Sequence, residues 1–386
     1  MGKGQVKGLV ERLKDGDNVL IAEGYMWEFE RRGYLQSGGN VPEVVLDHPD
    51  LVRIMHREFV HAGSDVVEAF TYYGHRTKLR DIGREADLER LQKDALAIAR
   101  EIADETGTLM AGNLCGTGIY SVDDTLSHGT CREMFREQVE WAVEGGADYI
   151  IAETFCYVGE ALLALEVISE FGNGLPAVIT LTPYDPDETV DHVPFPDACK
   201  RLEDAGAAVV GLNCSRGPET MLPLMKEIRK VCKGPIAAVP VPYRTNEKHK
   251  NFMAFKDEWT GESLYPLDVN CCMCNRSDIH KFADQAKAIG VEYIGLCCGN
   301  AANFMRELAE AYGRKPPASR YTPTLGDNII FGDAGKKGNK ENDKIRKFSV
   351  GEYVASDLAK LKMSSSSSKL TDHLENHDDD GGATGN

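Results

Sequence analysis

Eight short apolar runs punctuate the chain, each bounded by polar or glycine-containing residues and followed by a stretch with helical spacing. They are NVLIAEG (18–24), DVVEAF (65–70), TLMAGNLCG (108–116), YIIAETF (149–155), PAVITLT (176–182), AVVGLNCS (208–215), PIAAVPVP (235–242) and YIGLCCGN (293–300). Runs of this length that are apolar on both faces predict strands covered on two sides, the pattern of a parallel sheet. Between them the spacing predicts helices over 86–105, 130–145, 158–171, 194–205, 217–231 and 277–289, the last with Ser277 as its N-cap. Three helix ends share a phrase, HAGSDVV, EGGADYI and DAGAAVV, in which glycine stops the helix and the next residues enter a strand.

Eight strand–helix units in roughly 300 residues predict an α/β fold, a closed (β/α)8 TIM barrel, with an open doubly wound sheet as the alternative. Nothing resembling GxGxxG follows the first strand. The expected organisation is a catalytic barrel over 1–318, a C-terminal arm over 319–363 suited to oligomer contacts, and a disordered acidic tail over 364–386. The arm opens within KPPASRYTP, which breaks helix and strand alike, and the tail has too few apolar residues to fold.

Charge narrows the partners. With 44 basic and 61 acidic side chains the formal charge is -17 and no basic cluster stands out, so neither nucleic acid nor an anionic membrane is an expected partner. The opening MGKGQVKGLVERL has no apolar signal core and no run of 18 apolar residues occurs, which predicts a cytoplasmic protein. Its 11 cysteines are then free thiols, and clustered ones are metal ligands or catalytic groups before they are bridges.

Barrel chemistry gathers at the carboxyl ends of the strands. Those ends carry Glu23 on strand 1, Tyr72 and Tyr73 on strand 2, Glu153 on strand 4, Asn213 and Cys214 on strand 6, and Cys297 and Cys298 on strand 8. Three thiols at one mouth suit a zinc ion with its fourth position open. Neighbouring strand residues face opposite ways, so the Cys-Cys pair needs a strand already breaking, which Gly295 and Gly299 permit. Cys214 as a buried core thiol is the plainer alternative. A second cluster, Cys271, Cys272 and Cys274 in NCCMCNRSD, competes for the metal, although three ligands in four residues strain a tetrahedron.

The phrases EGYMWEFERRGY, HREFVHAGSDVVEAFTYYG, VVGLNCS and YIGLCCGN together resemble the betaine-homocysteine S-methyltransferases of the homocysteine S-methyltransferase superfamily, over Gly8 to about Ser319. The resemblance implies zinc on Cys214, Cys297 and Cys298, homocysteine held through its ammonium by Glu23 and Glu153, and a methyl donor, glycine betaine, packed on Tyr73. It implies dimethylglycine and methionine as products, and a homo-oligomer. Three positions depart from the family: Glu23 stands where Asp is usual, Asn40 where a Trp walls the donor pocket, and Thr154 where a Tyr can reach the metal.

Trimethylammonium groups sit on aromatic faces, and Tyr72, Tyr73 and Tyr243 are the candidates, with Tyr25 and Trp27 read as packing. Glu23 and Glu153 could instead pair with Arg276, while His56, His61 and His75 receive no role. Two rivals remain: a transferase using a sulfonium donor such as S-methylmethionine or dimethylsulfoniopropionate, favoured by Asn40, and a non-catalytic zinc or thiol redox-sensing barrel.

Overall fold

The computed structural model describes residues 6–35, 41–321, 324, 328 and 340–350. Asn40 and the tail expected over 364–386 lie outside those residues. Every predicted run contains a strand: β1 (Val19–Ala22), β2 (Val66–Glu68), β3 (Leu109–Cys115), β4 (Tyr149–Phe155), β5 (Ala177–Leu181), β6 (Val209–Asn213), β7 (Ile236–Val239) and β8 (Tyr293–Leu296). The strands are parallel and bonded in the order β1-β8-β7-β6-β5-β4-β3-β2.

The seam between β1 and β2 is closed by Asp65. Its amide donates to the Leu20 carbonyl at 2.8 Å, and its carboxylate accepts from the Leu20 amide at 2.9 Å. Arg314 bonds the same carboxylate and the Asn18 carbonyl, tying the chain beyond the last barrel helix to the seam. The sheet is therefore the closed barrel, not the open alternative.

Eight helices ring it: α1 (Pro49–Ala62), α2 (Leu88–Thr106), α3 (Thr125–Glu144), α4 (Val158–Phe171), α5 (Phe195–Asp204), α6 (Pro218–Val231), α7 (Arg276–Ile289) and α8 (Ala302–Ala311). Observed helix bounds lie within two residues of expectation except for the start of α3, and the cap of α7 also differs, both for local reasons. Helix α3 begins at Thr125 because the Asp124 side chain accepts from the Leu126 amide and caps it there. Helix α7 is capped by Asn275, not Ser277, through a reciprocal box with Asp278.

The strands are apolar on both faces because each face meets a different core. One buried layer lies between sheet and helices, and a second fills the barrel, where Val19, Ile21, Val178 and Val239 pack around Tyr149 and Tyr293. The two phenol oxygens are 2.9 Å apart and satisfy each other, so neither polar tip is left bare in that interior.

Residues Met1–Arg320 form one compact unit and Tyr321–Asn386 a second, whose described residues include the helix Lys340–Ser349. No helix among the described residues is long and apolar enough to cross a membrane.

Candidate active site at the barrel mouth

Strand β8 stops at Leu296, so Cys297 and Cys298 fall on the turn beyond it and escape the strand's alternation. Gly299 supplies that turn at φ +94°, where a Cβ would strike the Tyr243 ring at 2.8 Å. Gly295 acts differently from expectation: it stays in the strand and lets the Ile21 backbone of β1 approach, since a Cβ there would lie 2.2 Å from the Ile21 carbonyl oxygen. Cys214 follows β6 at φ +61°, a conformation L-residues avoid.

These turns bring the three thiols together. Cys214 Sγ and Cys298 Sγ are 3.6 Å apart, Cys298 and Cys297 3.9 Å, and all three lie within 4.8 Å of one another. Tetrahedral zinc with bonds of about 2.3 Å separates its sulfurs by about 3.8 Å, so the spacing fits that ion. Hydrogen bonds from Cys297 and Cys298 hold Cys214 well below the usual thiol range, and the same contacts push both partners above it. A soft divalent cation held by the three sulfurs would deprotonate them fully.

The competing cluster does not converge in this way. Cys271 is exposed and Cys274 buried, and only Cys271 and Cys272 approach, at 3.7 Å between sulfurs. Among the described residues, the two groupings close enough to hold a metal are Cys214, Cys297 and Cys298, and Glu23, Glu153 and Cys297.

Beside the sulfurs lies a row of buried carboxylates. Asn213, on β6, donates to Glu153 Oε2 at 2.8 Å and Glu23 Oε2 at 3.2 Å, while Asn113, on β3, donates to Glu153 Oε1 at 2.7 Å and Glu68 Oε1 at 2.5 Å. Burial pushes Glu23 and Glu68 well above the usual carboxylate range, with repulsion from Glu153 next, and burial also raises Glu153. Glu23 Oε1 is buried with no partner. Arg276 is not theirs: it pairs with Glu307 at 2.6 Å.

The mouth holds a cavity of about 190 Å³, lined by Tyr72, Tyr73, Tyr184, Tyr265, Trp27 and Phe252 beside the three cysteines, Glu68 and Glu153. Among the described residues that line it, none is a lysine, arginine or histidine. Tyr72 and Tyr73 meet with ring centroids 4.4 Å apart, and Lys78 Nζ sits 4.7 Å from the Tyr73 centroid. Trp27 stacks on Tyr265 at 5.7 Å, so it packs and lines at once. Tyr243 is not in the lining. It is fully buried behind Gly299, stacked on Phe252 at 5.2 Å. Asn213 is likewise fully buried and holds the acids from behind.

Of six non-glycine residues with positive φ among those described, four border this mouth: Tyr73, Thr154, Cys214 and Ser215. Such backbone persists only where surroundings enforce it. The Cys115 sulfur accepts from the Tyr73 amide at 3.2 Å, Asn213 Oδ1 accepts from the Thr154 amide at 2.9 Å, and Ser215 shares a 2.7 Å bond with Thr182. Sequence reasoning passes over Glu68, Asn113, Tyr184 and Tyr265. The signal for Glu68 is the one that marks Glu153, a lone acid closing an apolar run; the Tyr184 and Tyr265 loops offer no such sign.

The family described as homocysteine S-methyltransferase matches residues 20–312. Betaine–homocysteine S-methyltransferase 1 of Mus musculus is 33% identical over 341 residues, covering 85% of this chain and 81% of its own. S-methylmethionine–homocysteine S-methyltransferase BHMT2 of Pongo abelii is 34% identical over 335 residues, covering 84% and 88%. Among solved structures, the metallated form of the homocysteine methyltransferase MmuM from Escherichia coli has a similar fold, with a TM-score of 0.62 at 19% identity over 78% of this chain and 99% of that one.

Proposed function

The chain belongs to the homocysteine S-methyltransferase family, and from that premise we propose that it transfers a methyl group from glycine betaine to homocysteine, with zinc held by Cys214, Cys297 and Cys298. The observation that carries this reading is the sulfur spacing of 3.6 and 3.9 Å between turns on two separate strands. When bound, the metal supplies a Lewis acid that keeps the acceptor thiol deprotonated at neutral pH, where a free thiol titrating near 8.5 is mostly protonated.

The chain's own residues do the rest. Glu23 and Glu153 face the acceptor's ammonium, and Asn213 fixes their separation by donating to both. Tyr72 and Tyr73 offer aromatic surface to the donor's methylammonium, worth about 0.5 to 2 kcal/mol per contact. Transfer forms the S–CH3 bond and breaks the N–CH3 bond, returning the electron pair to nitrogen, so no proton has to move. Opposite charges diminish along this path. A mouth walled by Trp27, Phe252 and Tyr265 favours it by orienting the partners and displacing their water.

A second reading replaces betaine with S-methylmethionine. A lining without a cationic side chain supports it, because that donor carries an extra positive charge. Methionine formation from zinc-loaded protein, with betaine, S-methylmethionine and dimethylsulfoniopropionate side by side, tests both. Turnover is expected with betaine. Turnover with a sulfonium alone would replace the donor, and none with any of the three would reject the enzyme reading.

A further inference from the structure

We propose that Glu68 is the third wall of an ammonium cage and sets the preference for a thiol that carries an amino group over the same thiol without one. The inference deepens the acceptor reading above and rests on it. Glu68 closes β2, is 3% exposed and lines the mouth. It belongs to a relay: Asn113 Nδ2 bridges Glu68 and Glu153, and Asn213 Nδ2 bridges Glu153 and Glu23. Two amides thereby hold three carboxylates in a row with Glu153 in the middle.

Among the described residues the row is short of positive charge. Lys78 is engaged with Tyr73, Arg216 with Asp187, and Arg276 with Glu307. Burying acids without a cation is costly, and a structural role would not require a third one. The row is also short of donors, because Glu23 Oε1 is buried with no partner. An ammonium group answers both shortages at once, bringing one positive charge and three N–H donors that diverge toward separate acceptors. Glu23 and Glu153 supply two acceptors from β1 and β4, and Glu68 supplies the third from β2. A thiol lacking the ammonium leaves all three acids uncompensated and is rejected.

Glu68→Gln tests this, because an amide keeps the size and can still accept from Asn113 while the charge is gone. Binding to zinc-loaded protein is measured by calorimetry with homocysteine and with 4-sulfanylbutanoate, the same thiol without its amino group. The variant is expected to bind homocysteine about tenfold more weakly, to bind 4-sulfanylbutanoate no more weakly than before, to keep one zinc per chain and to melt higher than the parent when ligand-free. Glu68→Asp, which keeps the charge, is expected to recover part of the selectivity. Equal loss for both ligands, loss for neither, or a second metal that disappears with Glu68 would overturn the proposal. If the parent itself binds no homocysteine the acceptor reading falls; if the parent binds and Glu68→Gln binds equally, only the role of Glu68 falls.

Discussion

Gly24 lies against the Cys297 backbone so closely that a Cβ on it would stand 2.5 Å from the Cys297 carbonyl carbon and 2.6 Å from the Cys298 amide nitrogen. The end of β1, which carries Glu23, is therefore seated on the turn that carries two of the three sulfurs. The buried acid and the thiol cluster are set by one backbone contact.

Gly24→Ala should break that seating. Gly24 sits at φ +83°, where Ala costs about 1 kcal/mol before any clash is counted. The expected result is a melting temperature several degrees lower and a zinc content clearly below one per chain after dialysis, read by calorimetry and elemental analysis. A variant with full zinc and unchanged melting would mean that the contact does not position the sulfurs.

Cys214→Ser should separate metal loss from unfolding. Serine keeps the shape of a residue 9% exposed but removes one of the three soft ligands proposed for the metal. Zinc affinity is expected to fall by at least about 100-fold, the upper range of what even indirect partners of a metal cost, while the circular dichroism of the barrel is retained. Zinc retained after the change would favour the redox-sensing reading.

Asn213→Asp should expose the strain in the acid row. The substitution replaces the donor shared by Glu153 and Glu23 with another acceptor, leaving buried acceptors unsatisfied at about 1–3 kcal/mol. A fall of several degrees in melting temperature is expected at pH 7, with weaker homocysteine binding. Melting that matches the parent would show that Asn213 is not what holds the acids.

His56 gives the fold a pH dependence of known sign. Its ring is buried against Tyr25 at 5.3 Å with neither nitrogen partnered, and burial pulls it down to about 3. The unfolded imidazole takes up its proton below about pH 6.5, whereas the folded one does so only near pH 3. In that window the unfolded state binds more protons. Its contribution is therefore full above pH 6.5 and is lost as pH falls, by about 1.4 kcal/mol per unit. His56→Leu should remove this slope, so the stability of the variant relative to the parent rises from pH 7 to pH 4.5 in urea titrations. Parallel pH profiles would refute the assignment.

Much of this architecture is legible in the chain. DVVEAF and YIIAETF each announce a strand and carry an acid that structure places at the mouth, although only Glu153 is singled out in the sequence. The placement of Tyr243 is not legible, since YIGLCCGN and PIAAVPVPY give no hint that Gly299 would admit that ring behind the turn. Nor is the Asn275 cap, because Asn and Ser are both sound N-caps and the reciprocal bond to Asp278 decides between them. Asn113 reads as one polar residue in an apolar run until Glu68 and Glu153 are seen on either side of it.

The sequence by itself determined the number, order and covering of the strands, because apolar spacing records which faces a segment buries and needs no knowledge of its neighbours. It also determined most of the chemical groups that stand at strand ends, Glu68 excepted. Only the tertiary structure decided which of those groups share a site. Cys214 and Cys298 are 84 positions apart, and Glu68 and Glu153 reach each other through Asn113 on the strand between them. Barrel closure sets such distances through register and turn conformation, neither of which local periodicity encodes.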